Sequence, residues 1–406
     1  MRLTIERLGH LGDGLAVGPD GPVRVALALP GETAEGEVAE GRMAAPAIVA
    51  PSPDRVRAPC PHYRACGGCS LMHASDGFVA DWKAQVVETA LAAQGLSAPF
   101  RPVITSPARS RRRAVLAGRR TKKGTLVGFH ARASDTVVEI PGCQLLRPEL
   151  MAAMPALHRA VELGTSRKGE LALTLTLTEG GVDLAVTGGK PMDAVLFHDL
   201  AALAAGADLA RLSWDGEVVA TRRPPLQRFG AARVLPPAGA FLQATREGEA
   251  ALLAAVREAV GDARRIADLF AGCGTFALPL AETAEVHAAE GDRAMTDALM
   301  AGWRQAPGLR RITAEARDLF RRPLLPDELN RFDAAVIDPP RAGCEAQAAE
   351  IARSALRTVA AVSCNPVTFA RDARILAQAG FQLDWVQAVD QFRWSPHVEL
   401  VARLSR

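Results

Sequence analysis

From about residue 247 onward, the chain alternates short apolar segments with helical ones, and no other feature of its 406 residues constrains the fold as strongly. EGEAALLAAVREAVG has helical periodicity, and the strand-like segments that follow it are RIADLF, EVHAAE, RRITAEARD, RFDAAVIDPP, TVAAVSCNP, FQLDWVQAVDQF and HVELVARL. Strands that alternate with helices form a doubly wound, mostly parallel sheet. The pattern therefore predicts an α/β domain of Rossmann-like type over residues 246–406.

Glycines and an acidic residue follow the first two predicted strands of this domain. Gly272 and Gly274 come after DLF, where glycines allow a sharp turn and a close approach to a ligand. Glu290 ends the next strand, where a carboxylate can accept hydrogen bonds from ribose hydroxyls. Dinucleotide sites and S-adenosylmethionine sites both use this arrangement. The loop and the acid thus predict nucleoside binding and leave the cofactor open.

The fourth and fifth predicted strands distinguish between these cofactors. They end in Asp338-Pro339-Pro340-Arg341 and Ser363-Cys364-Asn365-Pro366, which puts a carboxylate and a thiol at the edge where open α/β sheets bind ligands. A dehydrogenase has no evident use for these two groups. A lone cysteine is usually a small buried hydrophobe. At the mouth of a cofactor cleft, however, a nucleophile is the better interpretation.

Three of the seven cysteines lie close together in APCPHYRACGGCS, residues 58–70. The N-terminus, MRLTIERLGHLGDG, has no long apolar run like that of a signal peptide, so we expect a reducing, cytoplasmic setting and a metal centre rather than disulfides. Cys60, Cys66 and Cys69 supply three thiolates, and Cys143, after a Pro-Gly turn, is the best candidate for a fourth. The three-plus-one spacing favours an iron–sulfur cluster and leaves zinc and unliganded thiols open.

The distribution of charge is more informative than its total. The net charge is +3, and no apolar run is long enough to span a bilayer, so we expect a globular monomer with no membrane partner. From Arg101 to Arg132, however, the chain has ten Arg or Lys residues and no Asp or Glu. Such a block can attract the phosphates of a nucleic acid. A solvated hairpin with Lys122-Lys123-Gly124 as its turn would give the same pattern.

The residues before the α/β pattern divide into two further predicted domains. Residues 1–52 contain short alternating segments broken by Gly and Pro, which predicts a small all-β module, for which a barrel of the oligonucleotide-binding kind is one candidate form. Residues 53–245 combine a helical segment at 78–94 with strand patterns at 111–140 and 171–187. This combination predicts a mixed α+β domain.

Together, these motifs resemble those of the RNA 5-methyluridine methyltransferases, S-adenosylmethionine-dependent enzymes that methylate C5 of a uridine in ribosomal or transfer RNA. IERLGHLGDGLAV and ALPGE resemble the family's TRAM module, an RNA-binding β-barrel. DLFAGCGTF is similar to the cofactor loop, DPPRAG to the fourth-strand motif and SCNP to the nucleophile motif. The resemblance extends over nearly the whole chain and implies a class I methyltransferase domain at its C-terminal end.

The resemblance also implies a role for each matching residue. Cys364 would be the nucleophile and Glu399, in PHVEL, the base. The cysteines at 60, 66, 69 and 143 match the set that binds a 4Fe–4S cluster in family members, which favours the cluster over zinc. The residues implied to bind S-adenosylmethionine are Gln243, Phe270, Gly272, Gly274, Thr275, Glu290, Asp318 and Asp338.

The implied chemistry explains why a thiol and a carboxylate are both needed. Uracil C5 is too weak a nucleophile to take a methyl group unaided, so a thiolate adds to C6 and turns C5 into an enolate-like carbon. After C5 has attacked the sulfonium methyl, Glu399 removes the C5 proton and elimination expels Cys364. For this to happen, Cys364 must ionise near neutral pH. The target base must also be flipped out of folded RNA.

Two departures from the family pattern affect the substrate more than the reaction. The segment QFRWSP (391–396) stands before His397-Val398-Glu399 where the family usually has Phe-Pro and a Thr, and Ala244-Thr245 follow Gln243 where an Asn is common two residues on. The cysteines and the TRAM-like segment favour 23S rRNA over transfer RNA as the substrate. The alternatives are a transfer RNA enzyme, a cytosine-C5 enzyme, which typically uses two cysteines, and an iron–sulfur RNA-binding protein with a silent methyltransferase domain.

Overall fold

The N-terminal segment of the chain contains strands and no helix. The computed structural model, which describes residues 1–406, gives these strands as β1 (Arg2–Thr4), β2 (Arg7–Leu8), β3 (Gly14–Gly18), β4 (Gly21–Val25), β5 (Thr33–Glu35), β6 (Arg42–Met43) and β7 (Ala47–Ala50). They form two small sheets, ordered β1-β5-β7 and β2-β3-β4-β6. Both sheets contribute to one small core that contains Ile5, Val25, Ala34 and Met43.

A seven-stranded sheet forms the middle of the protein. Its order is β11-β10-β9-β12-β13-β14-β15. The strands are β9 (Arg113–Arg120), β10 (Thr125–His130), β11 (Val137–Glu139), β12 (Glu170–Thr178), β13 (Gly181–Thr187), β14 (Arg211–Trp214) and β15 (Glu217–Thr221), and the helices are α2 (Pro148–Ala152), α3 (Met154–Gly164) and α4 (Ala194–Gly206). The strand patterns predicted at 111–140 and 171–187 therefore correspond to β9–β11 and β12–β13. Helices α3 and α4 cover one face of the sheet because their buried side chains share its apolar core.

The C-terminal part forms the predicted α/β sheet, with eight strands in the order β20-β19-β18-β21-β22-β24-β23-β8. These strands are β8 (Phe100–Thr105), β18 (Arg265–Leu269), β19 (Glu285–Glu290), β20 (Ile312–Ala316), β21 (Ala334–Ile337), β22 (Thr358–Ser363), β23 (Gln382–Asp390) and β24 (Glu399–Ser405); a separate hairpin contains β16 (Gln227–Phe229) and β17 (Ala232–Val234). Strands β18 to β22 are parallel, and β24 is antiparallel to both β22 and β23. The order reverses at β18, which creates the crevice where such sheets bind ligands.

Helices cover both faces of this large sheet. They are α1 (Asp76–Ala92), α5 (Arg246–Val260), α6 (Ala277–Leu280), α7 (Arg293–Gln305), α8 (Pro326–Leu329), α9 (Glu345–Arg353) and α10 (Pro366–Gln378). Apolar residues of α5, α6 and α7 fill the core on one face, and those of α1, α9 and α10 fill the core on the other. Because both faces are covered, its central strands are apolar on both sides. No helix of the protein combines the length and the apolar character needed to cross a bilayer.

One helix and one strand of this sheet layer come from much earlier in the chain. Strand β8 pairs in parallel with β23 at the edge of the sheet, and α1 packs beside α10 and β8. The ammonium group of Lys83 in α1 forms a buried ion pair with Asp390 at the end of β23, with 2.5 Å between Nζ and Oδ1. Residues 76–105 lie within the predicted 53–245 domain, and the structure joins them to the C-terminal sheet.

Candidate active site

A cleft of about 520 Å³ opens at the carboxyl ends of the parallel strands, beside the point where their order reverses. Phe270 follows β18, Glu290 ends β19, Asp338 follows β21 and Cys364 follows β22. Strand β24 runs the other way, so its first residue, Glu399, lies at the same edge. A cleft of this size suits a ligand of nucleoside dimensions. The fold thus brings together residues that are up to 158 positions apart in the chain, from Phe241 to Glu399.

Nine of the ten residues that the sequence suggested for catalysis and cofactor binding line this cleft. They are Gln243, Phe270, Gly272, Thr275, Glu290, Asp318, Asp338, Cys364 and Glu399. The tenth, Gly274, lies behind the surface with a φ of +92°, and a Cβ placed there would come within 2.9 Å of Leu278. Gly274 therefore shapes the loop without lining the cleft.

Backbone N–H groups hold the Glu290 carboxylate in a fixed orientation. Its Oε2 accepts a hydrogen bond from the Gly272 N–H at 2.9 Å, and its Oε1 accepts one from the Asp292 N–H at 2.9 Å. Gly272 has a φ of +55°, which glycine adopts readily. Each carboxylate oxygen has two lone pairs, so both can still accept a hydrogen bond from a ligand hydroxyl. This geometry agrees with the ribose-binding role that the sequence suggested for Glu290.

Aromatic side chains line part of the cleft. The rings of Phe270 and Phe320 are 5.5 Å apart at an angle of 57°. Phe320 is 48% exposed and Phe241 is 62% exposed, and both line the cleft, where a bound ligand would cover them. Asp318 accepts a hydrogen bond from the Phe320 N–H at 3.0 Å, so it fixes the loop that carries this ring. These apolar surfaces are suited to a purine base.

A buried chain of side-chain hydrogen bonds connects Asp338 to Glu399. Gln243 Nε2 lies 3.4 Å from Asp338 Oδ2, and Gln391 Nε2 donates to Gln243 Oε1 at 2.5 Å and to Glu399 Oε2 at 3.0 Å. The Gln391 Oε1 accepts from the Ala244 N–H at 2.8 Å, which fixes the orientation of the amide. Sequence analysis assigned no role to Gln391, although this residue lies in the segment that departs from the family pattern. The only indication of such a role in the sequence was an amide side chain between an acidic residue, Asp390, and a turn.

Burial gives the carboxyl groups of the cleft unusual proton affinities. It raises the pKa of Asp338 to about 7, and the nearby negative charge of Glu290 adds to this. Burial, followed by the charge of Asp338, raises the pKa of Glu399 to about 8. Asp268, completely buried, has a pKa well above its usual range, also because of burial and the charge of Asp338. The cleft therefore disfavours a second negative charge and favours a cationic ligand.

Cys364 is partly buried beside these acids. Burial, and then the charges of Glu399 and Asp338, raise the pKa of its thiol to about 11, while Arg341 acts in the opposite direction. In the protein alone, the thiol is therefore protonated at neutral pH. The effect of Arg341 on the thiol pKa is smaller than the combined effect of burial and the two acids. A further cation beside Cys364 would favour the thiolate that the expected mechanism uses.

The four cysteines expected to bind metal lie around one small cavity, although they come from separate segments. Cys60, Cys66, Cys69 and Cys143 line it together with Phe129, Ile140 and other residues, and all four are free thiols. The Gly68 N–H lies 3.3 Å from Cys66 Sγ, and the Leu145 N–H lies 3.4 Å from Cys143 Sγ. No three or more His, Cys, Asp or Glu side chains of the protein are arranged to hold a single metal ion.

The segment after Cys69 is bonded to the loop that carries Glu399. The N–H groups of Ser70 and Leu71 donate to the Trp394 carbonyl at 2.7 and 2.9 Å. Trp394 has a φ of +61°, a left-handed conformation that is uncommon for a large side chain. Its ring is buried against Tyr63 and Cys69. The cysteine cavity and the cleft are thus connected through one short loop.

Comparisons with known proteins agree with this geometry. A model of the tRNA (uracil-5-)-methyltransferase family matches residues 237–406. An uncharacterized RNA methyltransferase of Brucella suis is 43% identical, over 100% of this chain and 98% of its own length. A 23S rRNA (uracil(1939)-C(5))-methyltransferase of Chromohalobacter salexigens is 32% identical, over 100% of this chain and 89% of its own length.

A solved structure shares the fold along the whole chain. It is the Pyrococcus abyssi tRNA (uracil-54, C5)-methyltransferase in complex with S-adenosyl-L-homocysteine, with a TM-score of 0.75 and 22% sequence identity. The alignment covers 100% of this chain and 99% of the other. At this identity, the likeness concerns the fold.

Proposed function

This chain belongs to the S-adenosylmethionine-dependent RNA uracil-C5 methyltransferases, and from this we propose that it methylates one uridine of 23S rRNA through a covalent adduct of Cys364. The observation that carries the mechanism is the position of a thiol and a carboxyl group, Cys364 and Glu399, on the wall of one cleft. They are close enough for the charge of Glu399 to raise the pKa of Cys364.

We assign the cofactor to the part of the cleft between Phe270, Glu290 and Asp338. S-Adenosylmethionine supplies the methyl group and, while bound, a sulfonium cation. The carboxyl groups that repel one another in the protein alone would hold that cation, which explains why burying several acids in one cleft is tolerated. A bound cation lowers the pKa of Cys364 and of Glu399 together, so binding prepares both the nucleophile and the base.

The proton and bond changes then follow from the two side chains. The Cys364 thiol gives its proton to solvent water, and its sulfur forms a bond with C6 of the uracil while the displaced π-electron pair moves onto C5 and O4. After methyl transfer, the Glu399 carboxylate takes the proton from C5, and the pair left by that C–H bond expels the Cys364 thiolate. The Gln391 amide holds the Glu399 carboxylate in place. Cys364 is regenerated at the end of the cycle.

We further propose that Cys60, Cys66, Cys69 and Cys143 hold a 4Fe–4S cluster. The support is that four free thiols share one cavity, that backbone N–H groups face two of the sulfurs, and that Arg111 and Arg132 lie close enough to favour thiolates. A zinc ion would bring four sulfurs to within about 4 Å of one another. A cluster places iron and sulfide between the thiolates and needs no such convergence.

The proposed RNA target is 23S rRNA, with transfer RNA as the alternative, and the proposed setting is the cytoplasm. A relative of 32% identity is named as a 23S rRNA enzyme. The all-β segment at residues 1–52 would serve as a TRAM-like RNA-binding module, and the chain would act as a monomer. A second candidate function, an iron–sulfur RNA-binding protein with a silent domain, is disfavoured because Glu290, Asp338, Cys364 and Glu399 all meet in one cleft.

The test is to map 5-methyluridine in ribosomal and transfer RNA from cells with and without the gene. Loss of one 5-methyluridine from large-subunit RNA, restored by the wild type and not by Cys364→Ala, is the expected result. Loss confined to transfer RNA would overturn the substrate and keep the chemistry. If no 5-methyluridine changed, or if Cys364→Ala restored it, the proposed reaction would be wrong.

A further inference from the structure

Most cationic side chains of the basic stretch 101–132 form hydrogen bonds or ion pairs with other groups of the protein. Their partners are acidic side chains, a glutamine or backbone carbonyls for Arg101, Arg109, Arg111, Arg112, Arg113, Arg119 and Arg132. Seven of the ten are thus engaged. The side chains of Arg120, Lys122 and Lys123 have no such partner. Only these three side chains of the stretch are therefore free of a partner within the protein.

The unpaired cationic side chains of this stretch lie close to arginines from a different part of the chain. Arg120 and Lys122 line an open pocket of about 470 Å³ between the β9–β10 turn and α3. Arg159 from α3 and Arg167 from the loop after it line the same pocket. We call this site the β9–α3 pocket. Its lining includes no large apolar side chain, so an apolar ligand would gain little there.

The β9–α3 pocket carries an excess of positive charge. Its only acid is Glu162, which forms an ion pair with Arg159 at 2.7 Å. Arg120, Lys122 and Arg167 have no acidic side chain within the 4.0 Å of an ion pair. Lys123 and Lys168, both exposed, extend the positive surface beyond the rim. Three uncompensated cations around a polar hollow are suited to the phosphates of a nucleic acid backbone.

The β9–α3 pocket lies at the opposite end of β9 from the cleft. At the near end, the Arg113 guanidinium lies 5.8 Å from the centre of the Phe241 ring, which lines the cleft. The seven residue steps from Arg113 to Arg120 along a strand correspond to about 23 Å.

We propose that the β9–α3 pocket binds the phosphodiester backbone of the substrate RNA, at the opposite end of β9 from the cleft that would take the target uridine. The proposal rests on the proposed function, because it takes RNA as the substrate. It assigns the pocket a positioning role: backbone contacts set how the RNA lies on the protein and carry no sequence information themselves. A long substrate would reach both sites, whereas a short hairpin around the uridine would reach only the cleft.

The test compares two triple variants that lose the same charge. The first, Arg120→Gln/Lys122→Gln/Arg167→Gln, removes the free cations of the β9–α3 pocket. The control, Arg304→Gln/Arg310→Gln/Arg357→Gln, removes three exposed cations that form no ion pair and lie in the C-terminal part of the chain. Both variants are measured for melting temperature and S-adenosylmethionine affinity, which we expect to be unchanged.

The decisive measurement is RNA affinity as a function of salt, with a long substrate fragment and with a short hairpin. For the first variant on the long fragment, we expect roughly a tenfold loss of affinity and a slope against log salt that is lower by about 2 to 3. The hairpin should bind equally well to all three proteins. Equal losses in the two variants, or no change in the slope, would overturn the proposal. The proposed function would be tested separately, because wild-type methylation of the same RNA does not depend on this comparison.

Discussion

The side-chain amide of Gln391 donates a hydrogen bond to Glu399 Oε2 at 3.0 Å and so fixes the orientation of the candidate base. The same amide donates to Gln243 Oε1 at 2.5 Å, which connects the base to the cofactor side of the cleft. Both residues are buried, so water cannot replace a lost bond without a change in packing. Gln391 is therefore a positioning residue, and its effect must appear through Glu399.

Replacing Gln391 should slow the step that needs Glu399. For Gln391→Met, which keeps the volume and removes the hydrogen bonds, we expect kcat to fall about tenfold to a hundredfold, with S-adenosylmethionine affinity little changed. Gln391→Glu should act more strongly and shift the pH profile upward, because a second acid beside Glu399 raises the pKa of the pair. Single-turnover methylation measured against pH gives both values. Gln387→Met, on β23 and outside the cleft, is the control. An unchanged pH profile for Gln391→Glu would contradict the positioning role.

The pH dependence of the reaction should reveal the buried acids. Glu399 acts as a base only when ionised, and burial raises its pKa to about 8 in the protein alone. The kcat/KM for S-adenosylmethionine, which reports the free enzyme, should therefore rise with pH through about 8, where Glu399 ionises, and further toward about 11, where Cys364 ionises. In kcat, which reports the loaded enzyme, the bound cation should lower the apparent pKa by about one unit or more. Identical pKa values in the two profiles would argue against a cation held between these acids.

The same acids should make the free protein less stable as pH rises. The carboxyl of Glu399 titrates near 4.5 when unperturbed, and burial raises its pKa to about 8 in the fold. The folded state thus binds more protons in this interval, so the free energy of unfolding falls as pH rises through it. Glu399→Gln should melt close to the wild type at pH 5 and should be more stable by about 1–3 kcal/mol at pH 8. Thermal melts at both pH values test this. A variant that is destabilised equally at both would show that the carboxyl is not strained.

Removal of one thiol should empty the cysteine cavity of iron. Cys143 is the ligand most distant in sequence from the other three, and Cys143→Ser should lower the iron and acid-labile sulfide content of anaerobically purified protein to a small fraction of wild type. Cys273→Ala, at a cysteine outside the cavity, should keep both. Zinc in place of iron in the wild type, or full iron retention in Cys143→Ser, would contradict the proposed cluster.

Replacing only one partner of the buried ion pair between Lys83 and Asp390 should lower the free energy of unfolding more than replacing both. Both side chains are almost completely buried, and burial alone shifts the pKa of each toward its neutral form. Lys83→Met leaves Asp390 as an unpaired buried charge and should cost about 3–5 kcal/mol of unfolding free energy. Adding Asp390→Asn should recover a large part of that loss. Chemical denaturation of the two single variants and the double variant gives the coupling energy, and strictly additive effects would show that the pair does not interact.

The sequence predicted the elements of the C-terminal sheet well, because each central strand is a short apolar run that ends in a polar motif. The segments RIADLF and EVHAAE became β18 and β19 with little change in their limits. The sequence could not predict that β8 joins this sheet, because pairing with β23 depends on contacts between residues almost 300 positions apart. Strand order is a property of the assembled fold, and hydrophobic periodicity reports only which residues are buried.

In the candidate site, too, residues within sequence motifs could be predicted, whereas residues whose role depends on contacts between distant positions could not. Residues in motifs, such as Glu290 and Cys364, were predicted because each follows a strand at the sheet edge. Gln391 was missed because its role comes from three partners at separate positions in the chain. The basic stretch shows the same limit, because charge counted along the sequence does not reveal that an arginine such as Arg112 is buried against Glu249.

The carbonyl of Trp394 accepts hydrogen bonds from the segment that follows Cys69, and these bonds couple the cysteine segment to the loop beside the cleft. A change that displaces the segment after Cys69 would move the backbone N–H groups of Ser70 and Leu71 away from this carbonyl, and it would thereby disturb the loop that leads to Glu399. A chimaera that takes the 391–396 loop of a relative should therefore also need the cysteine segment of that relative. Chimaeras that transfer only one of the two segments should fold and yet methylate poorly.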